Sequence, residues 1–249
     1  GSCPGTINFD NSAGTGLWQT ATNWDTNSLP SAADNVCIDG FSVTLSSGAQ
    51  SVATVHVQGA GSLTVGGGSL TIAGASEIVA PATLSLAGGT LSGAGNLTID
   101  TTLTWSSGTM GGTGITTGNG GMALGGTYLT LTRRLDNANN GTATYTGLAY
   151  GFTITSPGVF NNQLGATFDQ QSDATISGTG LFNNPGTFLR TTSALPATIS
   201  TTFNNTGIVD VQSGKLSLNG TGTPPGAFAP AGAILDIGGG SRAFAATSD

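Results

Sequence analysis

Two aspartates four residues apart, Asp169 and Asp173, form the best carboxylate pair in the sequence for hydrolytic chemistry on a sugar. Carboxyl groups that flank a glycosidic bond can act as general acid and as base or nucleophile. A polysaccharide lyase would also need cations that neutralise an acidic sugar, and the five basic residues are dispersed along the chain. Carboxylates at adjoining strand or turn positions are usually solvated surface groups. We therefore predict that the chain is not an enzyme, with a polysaccharide-active lyase or hydrolase as the alternative.

Other reactive side chains are too few for the common metal and nucleophile sites. The chain has one histidine, His56, and two cysteines, which cannot supply a zinc site of nitrogen and sulfur ligands. The glycine runs carry no aspartate at the spacing of the calcium-binding nonapeptide. No G-x-S-x-G nucleophile motif occurs. We predict no metal and no cofactor, and we expect His56 to be an outward-facing strand residue.

The two cysteines, Cys3 and Cys37, both lie in the first sixth of the chain. One disulfide that closes this N-terminal segment is the economical interpretation, and two free thiols are the alternative. A disulfide would indicate an oxidising compartment, because cytosolic thiols are kept reduced.

The tripeptide Phe-Asn-Asn occurs three times, beginning at Phe160, Phe182 and Phe203. The copies are about 21 residues apart, an interval within the range of known repeat proteins. The same interval appears upstream with other residues, as from Leu63 to Leu84. A chain that repeats at such a period over most of its length is a solenoid.

Equivalent residues of successive repeats should form ladders along such a solenoid. The predicted structural ladder comprises Phe160, Asn161, Phe182, Asn183, Phe203 and Asn204. Stacked rings stabilise beyond their buried area, and an asparagine amide can bond the identical amide one rung away. We place the asparagines at turns, because asparagine tolerates the left-handed backbone conformation.

Three later repeats can also be aligned on the glycine that follows each Phe-Asn-Asn copy. This alignment puts Asp169, Arg190 and Val211 in one column. It predicts a surface ion pair between Asp169 and Arg190 on neighbouring rungs, which would contribute under about 1 kcal/mol if exposed.

The elements that carry these residues are short strands with alternating polar and apolar positions, as in 62–65 and 69–72. Strands about seven residues apart give three strands per repeat. We predict an all-β fold, a right-handed parallel β-helix (β-solenoid) with about 21 residues per rung, roughly nine rungs and an N-terminal cap. At about 4.8 Å per rung the rod would be roughly 40 Å long.

The predicted domains are an N-terminal capping segment, residues 3–42, and a parallel β-solenoid, residues 43–249. Within the second, 133–141 is interpreted as a protruding loop or an irregular turn. Residues 224–230 are interpreted as a break in the repeat, either a loop before a last strand pair or the join to further domains. The last residues, 243–249, show no clear cap. Since solenoids need both ends protected, we expect the chain to be one piece of a longer polypeptide.

Composition excludes two classes of partner. Only 7% of the residues are charged, against about 25% in a typical soluble protein. The net charge is −7 and no basic stripe is present, which argues against nucleic-acid binding. No apolar stretch approaches the roughly 20 residues that a membrane helix needs, so we expect no membrane insertion of this segment.

The N-terminal segment contains tryptophans, a proline and alternating apolar residues in a characteristic order. The order is Trp18, Asn23-Trp24, Pro30, Asp34-x-Val36-x-Ile38 and then Val43-Thr44-Leu45. This pattern resembles the opening of β-helical passenger or stalk regions in bacterial autotransporter- and haemagglutinin-like secreted adhesins. The two tryptophans are interpreted as covering the first rung, whose strand edge would otherwise be exposed. A sugar-stacking platform is the alternative.

The resemblance implies a secreted or cell-surface protein of bacterial origin with a non-enzymatic, structural or adhesive role, a rigid rod for attachment or display. The implied partners are other domains of a longer chain and glycans or cell surfaces of a host or neighbour. Ice binding is a third hypothesis, which requires Thr-x-Thr in one column over many rungs. Thr142–Thr144 and Thr153–Thr155 fit that motif but do not recur at the period of the repeat.

Overall fold

The computed structural model describes residues 3–148, 151–192, 194–222, 226–230 and 233–238. These residues form parallel strands stacked as a β-solenoid of about nine turns with a spacing of about 21 residues, as predicted. The named strand pairs are parallel, and an isolated antiparallel bridge joins Phe9 to Trp24. Helical structure within the described residues is limited to one 3₁₀ turn, Ala21–Asn23. The right-handed winding stays a prediction.

Each rung contributes one strand to each of three faces, and the strands are numbered along the chain. The first face contains ten strands, paired in chain order: β1 (Ile7–Asn8), β2 (Asn35–Asp39), β5 (Thr54–Gln58), β8 (Ser76–Ile78), β10 (Leu97–Ile99), β12 (Ile115–Gly118), β15 (Arg134–Asn137), β18 (Val159–Asn162), β21 (Leu181–Asn184) and β24 (Thr202–Asn205).

Two long strands, β9 (Thr83–Ser92) and β11 (Leu103–Met110), run around the corner between the second and third faces. The second face contains their first halves together with β3 (Ser42–Leu45), β6 (Ser62–Val65), β13 (Met122–Leu124), β16 (Thr142–Tyr145), β19 (Thr167–Gln170), β22 (Thr187–Arg190), β25 (Ile208–Val211) and β27 (Ala227–Pro230). The third face contains their second halves together with β4 (Ala49–Val52), β7 (Ser69–Ile72), β14 (Leu129–Leu131), β17 (Phe152–Ile154), β20 (Ile176–Ser177), β23 (Pro196–Ile199), β26 (Lys215–Leu218) and β28 (Ile234–Asp236).

Alternation of side chains determines which residues enter the core. In β6, Leu63 and Val65 are buried while Ser62 and Thr64 face outward, because successive side chains of a strand point to opposite sides. The register matches Leu63 with Leu84, as the repeat predicts.

The step from one rung to the next is not constant. In the first face Asn35 pairs with Thr54, which is a shorter step than the one from Leu63 to Leu84. Between β15 and β18 the step is longer, because Asp136 pairs with Asn161. The turns between the strands absorb these differences in length.

The interior changes in character along the rod. Valine, leucine and isoleucine fill the rungs up to Ile99. In the later rungs aromatic side chains join the aliphatic ones, and the fully buried aromatic residues are Trp105, Tyr145, Phe152, Phe160, Phe168, Phe182, Phe188 and Phe203. Each ring has another within 6.2 Å between centroids. The aromatic column therefore supplies much of the packing in the second half of the protein.

The N-terminal end is covered by Trp18 and Trp24, both fully buried. Their ring centroids are 4.9 Å apart, and the indole nitrogen of Trp24 donates to the carbonyl oxygen of Trp18 at 2.8 Å. A sugar-stacking platform requires an exposed ring face, so burial excludes that interpretation for both residues. β1 and β2 lie within the predicted capping segment and are the first two strands of the first face.

Cys3 and Cys37 form a disulfide, as predicted. The bond ties the N-terminal residues to β2, the strand whose partner on the other side is β5. Residues 224 and 225 of the predicted break and the terminal stretch 243–249 lie outside the described residues. The rest of the predicted break contains β27, which continues the second face by pairing with β25.

Removing the disulfide should weaken the whole rod from its N-terminal end. Replacing Cys3 and Cys37 with serine should lower the free energy of unfolding by about 2–4 kcal/mol, because the unfolded chain regains the freedom of a long closed loop. The cysteines are 34 residues apart. Urea unfolding followed by tryptophan fluorescence measures the change. A reducing agent should act on the original protein and leave the serine variant unaffected; equal midpoints for the two proteins without reductant would contradict the prediction.

The prediction of a protruding loop is wrong for the first half of 133–141, and the alternative of an irregular turn fits only 138–141, where Asn140 has a φ of 65°. The first half contains β15, and Arg133 is only 3% exposed. The Arg133 guanidinium donates to three backbone carbonyls of neighbouring rungs at 2.9, 2.9 and 3.3 Å. Burial lowers the pKa of Arg133 to about 10, because desolvation disfavours the charged form, so it is still protonated at neutral pH. The charge-rich composition suggested a loop because a buried, carbonyl-bound arginine is rare.

Candidate functional site

The two aspartates of the enzymatic alternative are both engaged by neighbouring side chains. Asp169, on β19, is 8% exposed. Its carboxylate accepts hydrogen bonds from Gln171 at 2.7 Å and from the Thr191 hydroxyl at 3.0 Å. Asp173 forms an ion pair with Arg190 at 2.7 Å. These contacts link neighbouring segments of the coil.

The predicted column of Asp169, Arg190 and Val211 is wrong in its first member. Asp169 pairs with Leu189, whereas Arg190 does pair with Val211. The backbone N–H of Thr187, the first residue of β22, donates to the carbonyl of Ala166. The alignment on glycines would have required Gly165 as the acceptor. Aligning the repeats on their glycines therefore shifts the register by one residue, and a shift of one residue exchanges inward and outward side chains.

Arg190 accordingly points inward and is fully buried. Besides Asp173, its guanidinium donates to the carbonyls of Ser172 at 2.8 Å and Leu195 at 2.5 Å. A buried cation is tolerated when its charge is paired; here both terminal nitrogens of the guanidinium are hydrogen-bonded, while its Nε has no hydrogen-bond partner. This cluster fastens the segments before β20 and β23 to the core.

His56 faces outward from β5, as expected, and its side chain is 13% exposed. One ring nitrogen lies 2.9 Å from the Glu77 carboxylate and the other 3.0 Å from the Gln58 side-chain oxygen. Within the described residues, no group of three or more potential metal ligands is found. In the same part of the chain, no helix is long and apolar enough to cross a membrane.

An outer ladder of polar side chains runs along the solvent side of the first face. It consists of Asp136, Asn161, Asn183 and Asn204, which hold the same position in β15, β18, β21 and β24. Each asparagine donates to the side-chain oxygen one rung toward the N-terminus, at 2.9, 2.8 and 2.9 Å. The ladder ends on the Asp136 carboxylate, which also accepts two bonds of 2.8 Å from Arg134. That hydrogen bonding raises the pKa of Arg134.

An inner ladder of amides lies beside it and is completely buried. Its members are Asn137, Asn162, Asn184 and Asn205. Here the first three amides donate in the opposite direction, each to the next rung toward the C-terminus, at 2.9, 2.7 and 2.8 Å. The first three also donate to backbone carbonyls at the start of second-face strands, at 2.9, 2.8 and 3.0 Å. The inner amides thus fasten the turn between the first two faces.

These asparagines lie on strands, so the prediction that they occupy turns is wrong. An asparagine amide can bond to the amide of the next rung from a strand position, because the two residues are directly paired in the sheet. A left-handed backbone is not needed for this bond. The phenylalanines beside them occupy successive rungs: the ring centroids of Phe160 and Phe182 are 4.8 Å apart, and those of Phe182 and Phe203 are 5.3 Å apart.

The two ladders should differ in energetic weight. Asn184→Ala should lower the free energy of unfolding by about 2–3 kcal/mol, because Asn162 and two further buried groups lose a partner. Its matched control is Asn183→Ala on the outer ladder, where water can replace the lost amide and the cost should stay under about 1 kcal/mol. Urea denaturation of both variants measures the difference. Equal losses would contradict the assignment of inner and outer roles.

A shallow groove of about 550 Å³ lies over the outer ladder. Its lining combines the outer-ladder asparagines with Arg134 and Gln163 and with side chains of the following turns, among them Leu164 and Pro185. Sequence reasoning identified the asparagines but missed Arg134 and Asp136. The tripeptide Leu135-Asp136-Asn137 is the available signal, since it pairs residue by residue with the first Phe-Asn-Asn copy, although the step between them is longer than usual.

A second polar array lies on the third face, where hydroxyl side chains occupy one column over six consecutive rungs. The column consists of Ser69, Thr90, Thr109, Thr130, Thr153 and Ser177. Thr-x-Thr does recur here, because Thr153–Thr155 lies beside the same motif at 130–132. The recurrence escapes a search at the usual period, because the step from Thr130 to Thr153 is longer.

No protein-family model, curated protein or solved structure matches this chain. The resemblance of residues 18–45 to adhesin stalks stays a prediction. The groove over the outer ladder and the hydroxyl column of the third face are candidate functional surfaces, because each repeats one kind of side chain over several rungs.

Proposed function

We propose that this chain is a non-enzymatic, rigid β-solenoid segment of a bacterial secreted or cell-surface protein, which serves attachment or display. The observation that carries the proposal is the rung-to-rung linkage of polar side chains. The outer and inner ladders, the Arg190 cluster and the carbonyl bonds of Arg133 all connect neighbouring segments of the coil. Side chains used in this way make a stiff body.

Location outside the cytosol is supported by the disulfide between Cys3 and Cys37, since such bonds persist in oxidising compartments. The low content of charged residues, 7%, and the resemblance at 18–45 agree with a secreted stalk. Partners of the proposed segment are the other domains of a longer chain and glycans on a surface.

Stiffness can be measured as a distance between two spin labels. Labels placed at Ser42→Cys and Ile208→Cys, both exposed and both on the second face, should give one narrow distribution near about 40 Å, because rungs repeat at about 4.8 Å. A flexible chain of similar length would give a broad distribution centred at larger distances. A broad distribution for the protein would refute the rod.

Attachment is tested separately with beads. Beads coated with the protein should adhere to bacterial or host cells more than beads coated with a glycine-serine polymer. Adhesion equal to that of the polymer would remove the attachment role and leave display.

The enzymatic alternative has less support from the geometry. A hydrolase needs one carboxylate free to attack or to activate water, and the carboxylates of Asp169 and Asp173 are both bonded to neighbouring side chains. Release of reducing sugar from a polysaccharide panel, lost in the double alanine variant, would favour the enzyme.

Ice binding is the second candidate, and the hydroxyl column of the third face favours it. The column places one hydroxyl per rung at a spacing of about 4.8 Å, and the motifs at 130–132 and 153–155 each add a second hydroxyl about 6.6 Å along the strand. An array of hydroxyls with such spacings can order water. Thermal hysteresis measures this activity. Thr130→Tyr should abolish it, while Thr64→Tyr on the second face should not. Absence of hysteresis in the original protein would refute it.

A further inference from the structure

We propose that the groove over the outer ladder binds a neutral polysaccharide chain that lies along the rod axis. The proposal rests on the attachment role above and adds a site and a class of ligand to it. The groove spans the rungs of β15, β18, β21 and β24, and its lining repeats from rung to rung. A ligand with a repeating unit is the partner that such a surface fits.

Two asparagines of the groove, Asn161 and Asn183, retain hydrogen-bonding capacity. A primary amide has two N–H donors and a carbonyl oxygen with two lone pairs. Asn161 and Asn183 each use one donor and one lone pair within the ladder. In the rungs of these two residues one amide donor and one lone pair remain, and this combination matches a sugar hydroxyl, which donates and accepts at the same atom.

Charge favours a neutral ligand over an acidic one. Arg134 is the cation of the groove, and its side chain is 47% exposed. Its charge is balanced by Asp136, which it contacts through two hydrogen bonds. An anionic sugar would meet both charges of this pair and gain little net attraction, whereas hydroxyls can bond to the guanidinium and to the Gln163 carbonyl without a charge penalty.

Apolar side chains at the edge of the groove complete the match. Leu164 is 77% exposed, and Pro185 lies in the turn one rung above it. Exposed apolar groups beside hydrogen-bonding groups suit a pyranose ring, which has C–H faces and hydroxyl edges. An extended peptide is a poorer fit, because β18 and β21 are already paired on both sides and offer no free backbone edge for strand addition.

The test uses affinity electrophoresis and calorimetry with soluble neutral polysaccharides (a mixed-linkage β-glucan, a galactomannan and dextran) and with polygalacturonate as the acidic probe. The protein should bind at least one neutral polymer more tightly than polygalacturonate. Asn161→Ala combined with Asn183→Ala should weaken that binding at least about tenfold. Thr130→Ala combined with Thr153→Ala on the third face is the matched control and should leave it unchanged.

Leu164→Ser is a second groove variant that cannot disturb the core, because this side chain is mostly exposed. It should weaken binding several-fold while the unfolding midpoint stays the same. The proposal is overturned if no neutral polymer binds, if polygalacturonate binds best, or if the groove variants bind like the original protein. Any of these results with a narrow spin-label distance and adherent beads would leave the attachment role intact. A broad distance distribution would instead defeat the rod itself.

Discussion

Phe182→Ala is expected to lower the free energy of unfolding by about 3–5 kcal/mol, because it opens a cavity in a close-packed core. The Phe182 ring is fully buried. Its centroid lies 4.8 and 5.3 Å from the rings one rung below and above, and 5.0 and 5.9 Å from two rings of the second face. The substitution removes one ring that contacts four others.

Urea denaturation at constant temperature measures this effect. The matched control is Leu181→Ala, the preceding residue, whose side chain points outward and is 38% exposed. The control should change the free energy of unfolding by under about 0.5 kcal/mol. Similar losses for the two variants would show that the aromatic column is not what stabilises the later rungs.

Arg190→Ala should destabilise the protein by a comparable amount, about 3–5 kcal/mol, because removing one member of a buried ion pair leaves its partners unsatisfied. Arg190 is completely buried and holds the Asp173 carboxylate and two backbone carbonyls. In a protein of this size the midpoint of thermal unfolding should fall by roughly 2–4 °C for each kcal/mol lost.

Two further variants separate the contributions within this cluster. Asp173→Asn keeps an oxygen that can accept the hydrogen bond and should cost less than Arg190→Ala, because Asp173 is 33% exposed and water can replace part of the interaction. Arg190→Lys should recover little, since one ammonium group cannot reach all three acceptors of the planar guanidinium. Full stability of the lysine variant would contradict the cluster as described.

The two arginines in the core, Arg133 and Arg190, both donate hydrogen bonds to backbone carbonyls of turns. Arg133 and Arg190 bond to carbonyls where the coil departs from its regular period. Backbone groups in such places lack a partner in the strand ladder, and burying them unbonded costs free energy. A single guanidinium with five donors can satisfy several of them at once. We infer that these arginines stabilise irregular turns by hydrogen bonding to their backbone carbonyls. Both side chains are buried, so neither presents its charge to a ligand at the surface.

Much of the fold was predictable because the signals for it are local. Alternation within four residues, as at 62–65, decides which side chains enter the core, and identical tripeptides at nearly equal intervals decide which residues repeat. The disulfide between Cys3 and Cys37 was predictable because the chain has two cysteines. These features depend on neighbouring residues or on counting.

The partner of each polar side chain depends on register, which only the tertiary structure decided. Turns of different length change the step between rungs, which is short between β2 and β5 and long between β15 and β18. One residue more or less reverses which side chains point inward, and so Arg190 enters the core beside Asp173 and leaves Asp169 to other partners. The hydroxyl column of the third face and the start of the outer ladder at Asp136 escaped a search at a constant period for the same reason. The alternation of side chains within strands therefore predicts the solenoid from the sequence. Which polar side chains share a column at its surface depends on turn lengths, which only the tertiary structure shows.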